Sequence, residues 1–114
     1  MTPTLRAAID LFNKGSYLAS HELFEELWEE TEGEDADFFK GLIQAAICMH
    51  HLGEGNVEGA APLYRGHRRY LAGYRPTRHG IDVSSFLASM ERCARPQLSG
   101  TVPEDSEKPT LETV

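Results

Sequence analysis

Hydrophobic residues recur at helical spacing along most of the chain. Leu5, Ile9 and Phe12 follow one another three or four positions apart, as they do on the buried face of an amphipathic helix. No segment alternates between apolar and polar residues for long enough to indicate a strand. The pattern therefore predicts an all-α fold, a compact bundle of about five helices built from antiparallel helical hairpins.

Capping residues mark where these helices begin and end. Pro3 after Thr2 fits a capped helix start, and Gly15 and Ser16 separate the first helix from the second. Asn56 is placed to cap the start of the fourth helix. These signals predict a first helix from residue 3 to about residue 12, and further helices over about residues 17–32, 37–53, 57–74 and 83–93.

The composition of the chain changes near residue 96. Residues 96–114 carry three prolines, four acidic residues and one lysine, with almost no large apolar side chain. Such a segment buries too little apolar surface to offset the conformational entropy that is lost on ordering. We therefore expect one helical domain over residues 1–95, followed by a disordered acidic tail over residues 96–114.

Charge and cysteine content exclude several classes of protein. The 114-residue chain has a formal charge of −7 and two cysteines, Cys48 and Cys93. A broadly nucleic-acid-binding or membrane-binding protein needs a basic surface, so no nucleic acid and no membrane are expected as partners. The longest strongly apolar stretch, Gly41–Met49, is about half as long as a bilayer span. With no visible signal peptide and too few cysteines for a disulfide framework, the sequence predicts a cytoplasmic protein.

Ionisable side chains cluster on the second predicted helix. His21 and Glu25 are four positions apart, so they project from the same side of a helix. Glu22 lies beside them, and Trp28, the only tryptophan of the chain, follows Glu25 by one helical turn. Ionisable groups at the edge of a small core destabilise the fold unless they are paired. This helix is therefore the first place to look for a functional site.

The third predicted helix contributes a second histidine. Apolar residues cover most of its circumference, and its polar stripe consists of Lys40, Gln44 and His51. His50 lies off this stripe, beside Phe39 and Ile43. The sequence therefore predicts His50 to be the histidine inside the protein.

Three interpretations of these side chains remain open. In the first, His21, Glu25 and His50 together ligate a divalent metal ion, with Glu22 as a further or outer ligand. In the second, Glu25 adjusts one of the histidines for acid–base catalysis in a small pocket, and the chain is an enzyme. In the third, the network is structural: Glu25 accepts a hydrogen bond from His21 or His50 and fixes the angle between two helices.

A basic segment contrasts with the acidic second helix. Residues 65–78 include five arginines and no acid, whereas residues 22–37 include nine acids and no base. Leu63, His67 and Tyr70 fall on one helical face, so the tyrosines belong to the core or its edge and the arginines project outward. We expect these arginines to pair with the acidic second helix, within one subunit or between subunits, rather than with nucleic acid.

A long string of these residues resembles a known family. It comprises Phe12-Asn13-x-Gly15-x-Tyr17-x-x-x-His21-Glu22-x-x-Glu25-x-x-Trp28, then Phe39-x-Gly41-Leu42-Ile43-Gln44-x-Ala46-x-x-x-His50 and Gly55-Asn56-x-x-Gly59-Ala60. Over residues 5–75 the chain is similar to the bacterial domain-of-unknown-function 309 family. The resemblance implies a small, compact helical fold and no particular reaction. The motif positions that it carries over are His21, Glu22, Glu25, Trp28, Gln44 and His50.

The sequence thus favours a protein that binds a metal ion or a small ligand in a pocket between its second and third helices. The candidate residues are His21, Glu22, Glu25, Trp28, Gln44 and His50. The alternative is a protein-interaction or self-associating helical module, a homo-oligomer included, in which the His–Glu network is purely structural. A ligand-binding protein would have a recessed polar pocket, whereas an interaction module would have an exposed apolar groove.

Overall fold

Helices account for most of the structure, a computed structural model that describes residues 1–101 and 107–114. The first four are α1 (Pro3–Asn13), α2 (Tyr17–Glu30), α3 (Asp35–Gly53) and α4 (Val57–Leu71). A 3-10 turn at Ala72–Tyr74 is followed by two short antiparallel strands, β1 (Thr77–Arg78) and β2 (Ile81–Asp82), and then by α5 (Val83–Cys93) and α6 (Arg95–Leu98). The predicted all-α bundle is confirmed. No helix in the described part of the chain is long and apolar enough to cross a membrane.

Side-chain caps explain why the helices begin where they do. Thr2 Oγ1 accepts a hydrogen bond from the Leu5 amide at 3.2 Å, and Asn56 Oδ1 accepts one from the Gly59 amide at 3.0 Å. Both caps agree with the sequence prediction, whereas the side chain of Ser16 makes no capping hydrogen bond. The turn between α1 and α2 depends on Gly15, whose φ of +87° is rarely adopted by residues with a side chain.

The core lies where α1, α2, α3 and α5 meet. Phe12, Phe24, Phe38 and Phe86 are fully buried there. The ring of Phe12 packs edge-to-face against Phe86 and Tyr17, with ring centroids 5.4 Å and 5.1 Å away. Such edge-to-face contacts stabilise a core beyond the burial of apolar area. Phe12 therefore ties the first helix hairpin to α5.

Helices α3 and α4 pack closely against each other at two glycines. A side chain at Gly41 of α3 would place its Cβ 2.7 Å from Leu71 Cγ, which is well inside van der Waals contact. At Gly66 of α4, a Cβ would lie 1.9 Å from Gln44 Oε1. The two glycines therefore allow the two helices to pack with their backbones close together.

The histidine inside the protein is His67, and the prediction that His50 would be inside is wrong. His67 is 0% exposed, and its ring packs edge-to-face against Tyr64 at 5.1 Å. His50 is only half-buried. Neither ring nitrogen of His67 makes a hydrogen bond within the described part of the chain. Burial lowers the pKa of His67 from 6.5 to about 4, so its imidazole is neutral at neutral pH.

Residues 107–114, here called the strap, differ from the predicted disordered tail because they pack on the helical body. Pro109 and Leu111 are fully buried. The amide of Leu111 donates to Asn13 Oδ1 at 2.8 Å, and Asn13 Nδ2 donates to the Leu111 carbonyl oxygen at 3.0 Å. The strap is ordered because it buries two apolar side chains and makes hydrogen bonds to the helical body. Its polar composition alone does not indicate this. Residues 102–106 of the predicted tail lie outside the described residues.

Candidate functional site

A cleft of about 280 Å³ opens between α2 and α3, with one end closed by α4. It is lined by Glu25, Trp28, Lys40, Ile43, Gln44, Ile47 and Leu63. Three of the candidate residues from the sequence, Glu25, Trp28 and Gln44, therefore meet at this place, here called the α2–α3 cleft. The other three candidates, His21, Glu22 and His50, do not line it.

Helical spacing explains which side chains reach the cleft. Glu25 and Trp28 are one turn apart on α2 and point the same way. Lys40, Gln44 and Ile47 follow one another three or four positions apart on α3, so they form a single stripe that faces α2. The cleft is the place where these two stripes meet.

Lys40 is a residue of the cleft that sequence analysis did not select. Its ammonium lies 5.5 Å from the centre of the Trp28 ring, in a cation–π contact. It is the only lysine or arginine in α2 and α3. Among the described residues it has no carboxylate within ion-pair distance. The sequence could have indicated Lys40, because it is a single basic residue on the helix next to the acidic α2.

Gln44 is held at the floor of the cleft by its position against α4. Its side-chain oxygen lies where a Cβ at Gly66 would be, so a larger residue at position 66 would displace it. Gln44 is half-buried, and within residues 1–101 and 107–114 its amide has no hydrogen-bond partner. A half-buried amide of this kind can donate to or accept from a bound molecule.

The predicted His–Glu network reduces to one pair within α2. His21 Nε2 lies 3.3 Å from Glu25 Oε2, and His21 Nδ1 lies 2.8 Å from the carbonyl oxygen of Leu18 in the preceding turn. Both partners of the pair belong to one helix, so the pair does not fix the angle between α2 and α3. It does orient the Glu25 carboxylate at the edge of the cleft.

The predicted metal ligands His21, Glu25 and His50 are not brought together. Within the residues that the structure describes, no group of three or more His, Cys, Asp or Glu side chains is arranged to hold a metal ion. His50 lies six residues beyond Gln44 on α3, which is about 9 Å further along the helix axis. That distance separates it from the end of the cleft at which Glu25 and Gln44 meet.

A second cleft of about 630 Å³ was not predicted from the sequence. It is lined by Met1, Thr2, Leu5, Leu27, Glu30, Thr31, Phe39 and His79. His79 Nε2 lies 3.0 Å from Asp35 Oδ2, and Arg78 Nε donates to Asp35 Oδ1 at 3.1 Å. The hydrogen bond from Arg78 is the main reason that the pKa of Asp35 is lowered from 3.8.

This cluster attaches the β-hairpin to the start of α3. The rings of Phe38 and Phe39 each lie 5.2 Å from the imidazole of His79, which adds packing to the polar contacts with Asp35. The hairpin turn places both His79 and Gly80 at positive φ, 51° and 76°, as in the tight turns that join antiparallel strands. Strands of two residues are too short to show an alternating pattern, which is why the sequence did not reveal the hairpin.

Within one subunit, the arginines of the basic segment do not make the predicted ion pairs with the second helix among the residues that the structure describes. Arg78 pairs with Asp35 at the start of α3, and Arg68 donates to the carbonyl oxygen of Leu87 at 2.9 Å. The arginines therefore hold the hairpin and α5 in place within this subunit.

Comparison with known proteins gives two matches. The sequence model of a family described as a domain of unknown function (DUF309) matches residues 5–63. An uncharacterized protein of Aquifex aeolicus (strain VF5) is 29% identical over 101 residues, which make up 88% of this chain and 30% of that protein. The chain thus spans less than a third of the length of this relative. All the residues that line the α2–α3 cleft lie within the matched segment 5–63.

Proposed function

The chain belongs to the family described as a domain of unknown function (DUF309), and we propose that it binds a small organic carboxylate in the α2–α3 cleft. The observation that carries this proposal is the convergence of Trp28, Lys40 and Gln44 on one recess. A recess of about 280 Å³ is close to the lower end of known small-molecule pockets, which hold about 300–1,000 Å³. The expected ligand is therefore about as large as an amino acid.

Four of the side chains that line the cleft contact the ligand in this proposal: Trp28, Lys40, Ile43 and Gln44. The Lys40 ammonium, which has no carboxylate partner among the described residues, binds the carboxylate of the ligand. Trp28 and Ile43 contact its apolar body, because aromatic and aliphatic walls favour the burial of apolar surface. The Gln44 amide supplies a hydrogen bond that orients the ligand.

The charge around the cleft restricts the ligand further. Glu25 lines the cleft itself, and Glu22, Glu26 and Glu29 lie on the same helix. These carboxylates disfavour anions in general. A small anion without an apolar body gains only the contact with Lys40. A carboxylate with an aromatic ring also gains the contact with Trp28. We therefore expect phenylacetate to bind and acetate not to bind.

A titration with phenylacetate tests this function, with the fluorescence of Trp28 as the signal. Because Trp28 is the only tryptophan, any change in tryptophan fluorescence reports on the surroundings of this one side chain. We expect saturable binding of phenylacetate. The neutral analogue phenylacetamide should bind about tenfold more weakly, since it lacks the charge-assisted hydrogen bond to Lys40. Lys40→Gln should weaken phenylacetate binding by about the same factor.

Lys14→Gln is the matched control for this titration, because Lys14 is exposed and lies outside the cleft. It should bind phenylacetate as the wild type does. Equal affinities of the Lys40→Gln and Lys14→Gln variants would contradict the proposal, and so would equal affinities for phenylacetate and phenylacetamide.

A substitution on α4 tests the role of Gln44 without changing the cleft residues themselves. In Gly66→Ala, the new Cβ overlaps the position of Gln44 Oε1, so the amide must move. We expect phenylacetate to bind about two- to tenfold more weakly, which corresponds to one lost hydrogen bond. Gly73→Ala serves as the control, because a Cβ at position 73 meets no atom of the described residues within 4 Å. Unchanged binding in Gly66→Ala would show that Gln44 does not contact the ligand.

A further inference from the structure

The strap lies in a groove formed by Asn13, Ser89 and the β-hairpin, which make hydrogen bonds to its backbone. Asn13 donates to and accepts from the backbone of Leu111, as a neighbouring strand would. Ser89 Oγ accepts from the Thr110 amide at 2.9 Å and lies 3.5 Å from the Thr110 carbonyl oxygen. Two side chains that are far apart in the sequence thus hold two successive residues of the strap.

The hairpin continues this pattern along the rest of the strap. The amide of Asp82 donates to the Glu112 carbonyl oxygen, and the amide of Val114 donates to the Gly80 carbonyl oxygen, both at 2.9 Å. Ile81 and Thr113 form an antiparallel bridge. An extended peptide that adds to a strand edge through backbone hydrogen bonds is a common mode of peptide recognition. The strap binds in this mode.

Only a few side chains of the strap are specified by the groove. Pro109 and Leu111 are buried, whereas Lys108, Thr110 and Glu112 are exposed. This alternation is expected for an extended segment with one face on a surface. Glu107 adds an ion pair with Arg92 at 3.0 Å, but both side chains are more than half exposed, so the pair contributes little. The groove therefore selects proline and leucine two positions apart.

The protein is more stable when the groove is occupied than when it is empty. Ser89 is only 4% exposed, and its hydroxyl is bonded to the backbone of the strap. If the strap leaves, this hydroxyl and the amide of Asn13 lose their partners, which destabilises the empty groove. Another peptide with the same backbone and the same two apolar side chains would restore those hydrogen bonds.

We propose that this groove is a docking site for an extended segment of another protein with the pattern Pro-x-Leu, and that the strap is its intramolecular competitor. The strap belongs to the same chain, so its effective concentration at the groove is of millimolar order. A partner segment therefore binds the wild-type protein weakly until it outcompetes the strap. The groove is separate from the α2–α3 cleft, and Ser89, Asp82 and the strap lie outside the segment matched by the family model.

A labelled peptide with the sequence Glu-Lys-Pro-Thr-Leu-Glu-Thr-Val tests this inference by fluorescence anisotropy. In the full chain carrying Leu111→Asp, the strap would have to bury a charge, so it should leave the groove. We expect this variant to bind the peptide at least about tenfold more tightly than the wild type. Thr113→Asp adds the same charge at an exposed position of the strap and should bind like the wild type. Adding Asn13→Ala to Leu111→Asp should weaken peptide binding about tenfold.

Three results would overturn the inference. The first is equal peptide affinity in the Leu111→Asp and Thr113→Asp variants. The second is equal binding of a control peptide in which aspartate replaces the leucine. The third is a wild-type dimer that Leu111→Asp abolishes in sedimentation experiments, because the groove would then serve a second copy of this chain.

A second variant keeps the test valid if Leu111→Asp perturbs folding, which circular dichroism would show. Thr110→Pro removes the N–H that donates to Ser89 and restricts the backbone of Thr110 and Pro109, at a residue whose side chain is exposed. It weakens the strap without a buried charge, so it should also raise the affinity for the peptide. A folded Thr110→Pro variant with the affinity of the wild type would count against the inference.

Discussion

We expect the protein to lose about 3 kcal/mol of folding free energy as the pH falls from 6.5 to about 4, through the imidazole of His67. Burial is the main cause of the lowered pKa, and the neighbouring Arg68 guanidinium acts in the same direction. The unfolded chain binds a proton at this histidine near pH 6.5, whereas the folded protein does not until about pH 4. Stability is therefore complete above this window and decreases as the pH falls through it.

Urea denaturation across this pH range measures the effect, and His67→Phe should remove most of it. Phenylalanine fills the space between Tyr64 and Phe86 and has no group that can be protonated. His50→Phe is the control, since His50 is only half-buried, and it should keep the acid dependence of the wild type. If the His67→Phe and wild-type proteins lose the same free energy of unfolding in acid, the buried imidazole is not the cause.

Gly41→Ala should destabilise the protein by about 1–3 kcal/mol. The new Cβ would lie 2.7 and 2.8 Å from two carbons of Leu71 and 3.1 Å from Tyr70 Cβ, so α3 and α4 must move apart. Leu71 is fully buried and has little room to give way. This cost exceeds the gain of at most about 1 kcal/mol from replacing glycine by alanine in a helix.

Gly53→Ala, at the other end of α3, provides the comparison. Within residues 1–101 and 107–114, a Cβ at position 53 meets nothing within 4 Å, so the free energy of unfolding should stay the same or rise slightly. Thermal or urea denaturation of the two variants measures the difference. Equal stability of both would mean that α3 and α4 do not pack as closely at Gly41 as the structure shows.

The helices could be predicted because the residues that start, end and orient each helix lie within or next to that helix in the sequence. Thr2, Gly15 and Asn56 fix helix ends through contacts with residues at most three positions away, and the apolar spacing gives each helix its buried face. The predicted bounds of α5, residues 83–93, agree with the structure. The fold class follows from features of this kind.

The strap could not be predicted because it depends on distant contacts, whereas the buried histidine was missed although the helical pattern indicated it. Leu111 is an isolated apolar residue in a polar segment, and its partner Asn13 is 98 positions away. The third helix is apolar around most of its circumference, so its spacing does not show which side His50 faces. His67 lies on the buried face that the spacing predicted for the fourth helix, yet the sequence did not single it out.

The candidate site was predicted in part. Glu25, Trp28 and Gln44 meet because each lies on the helix face that turns toward the neighbouring helix. His21 stays with Glu25 on α2, and His50 lies too far along α3. The sequence indicated the two helices that form the cleft. It did not show how far one helix is shifted along the other, because that shift depends on the packing of α3 against α2 and α4. The shift places Lys40, and not His50, next to Trp28.

The most direct test of the α2–α3 cleft is the nuclear magnetic resonance spectrum of the protein titrated with phenylacetate. Trp28 is the only tryptophan, so its indole N–H gives a single resonance. We predict that this resonance and the side-chain amide resonances of Gln44 shift on saturation, while the backbone resonances of His50 and of the strap do not. Shifts confined to residues outside the cleft, or no shifts at all, would contradict the proposed function.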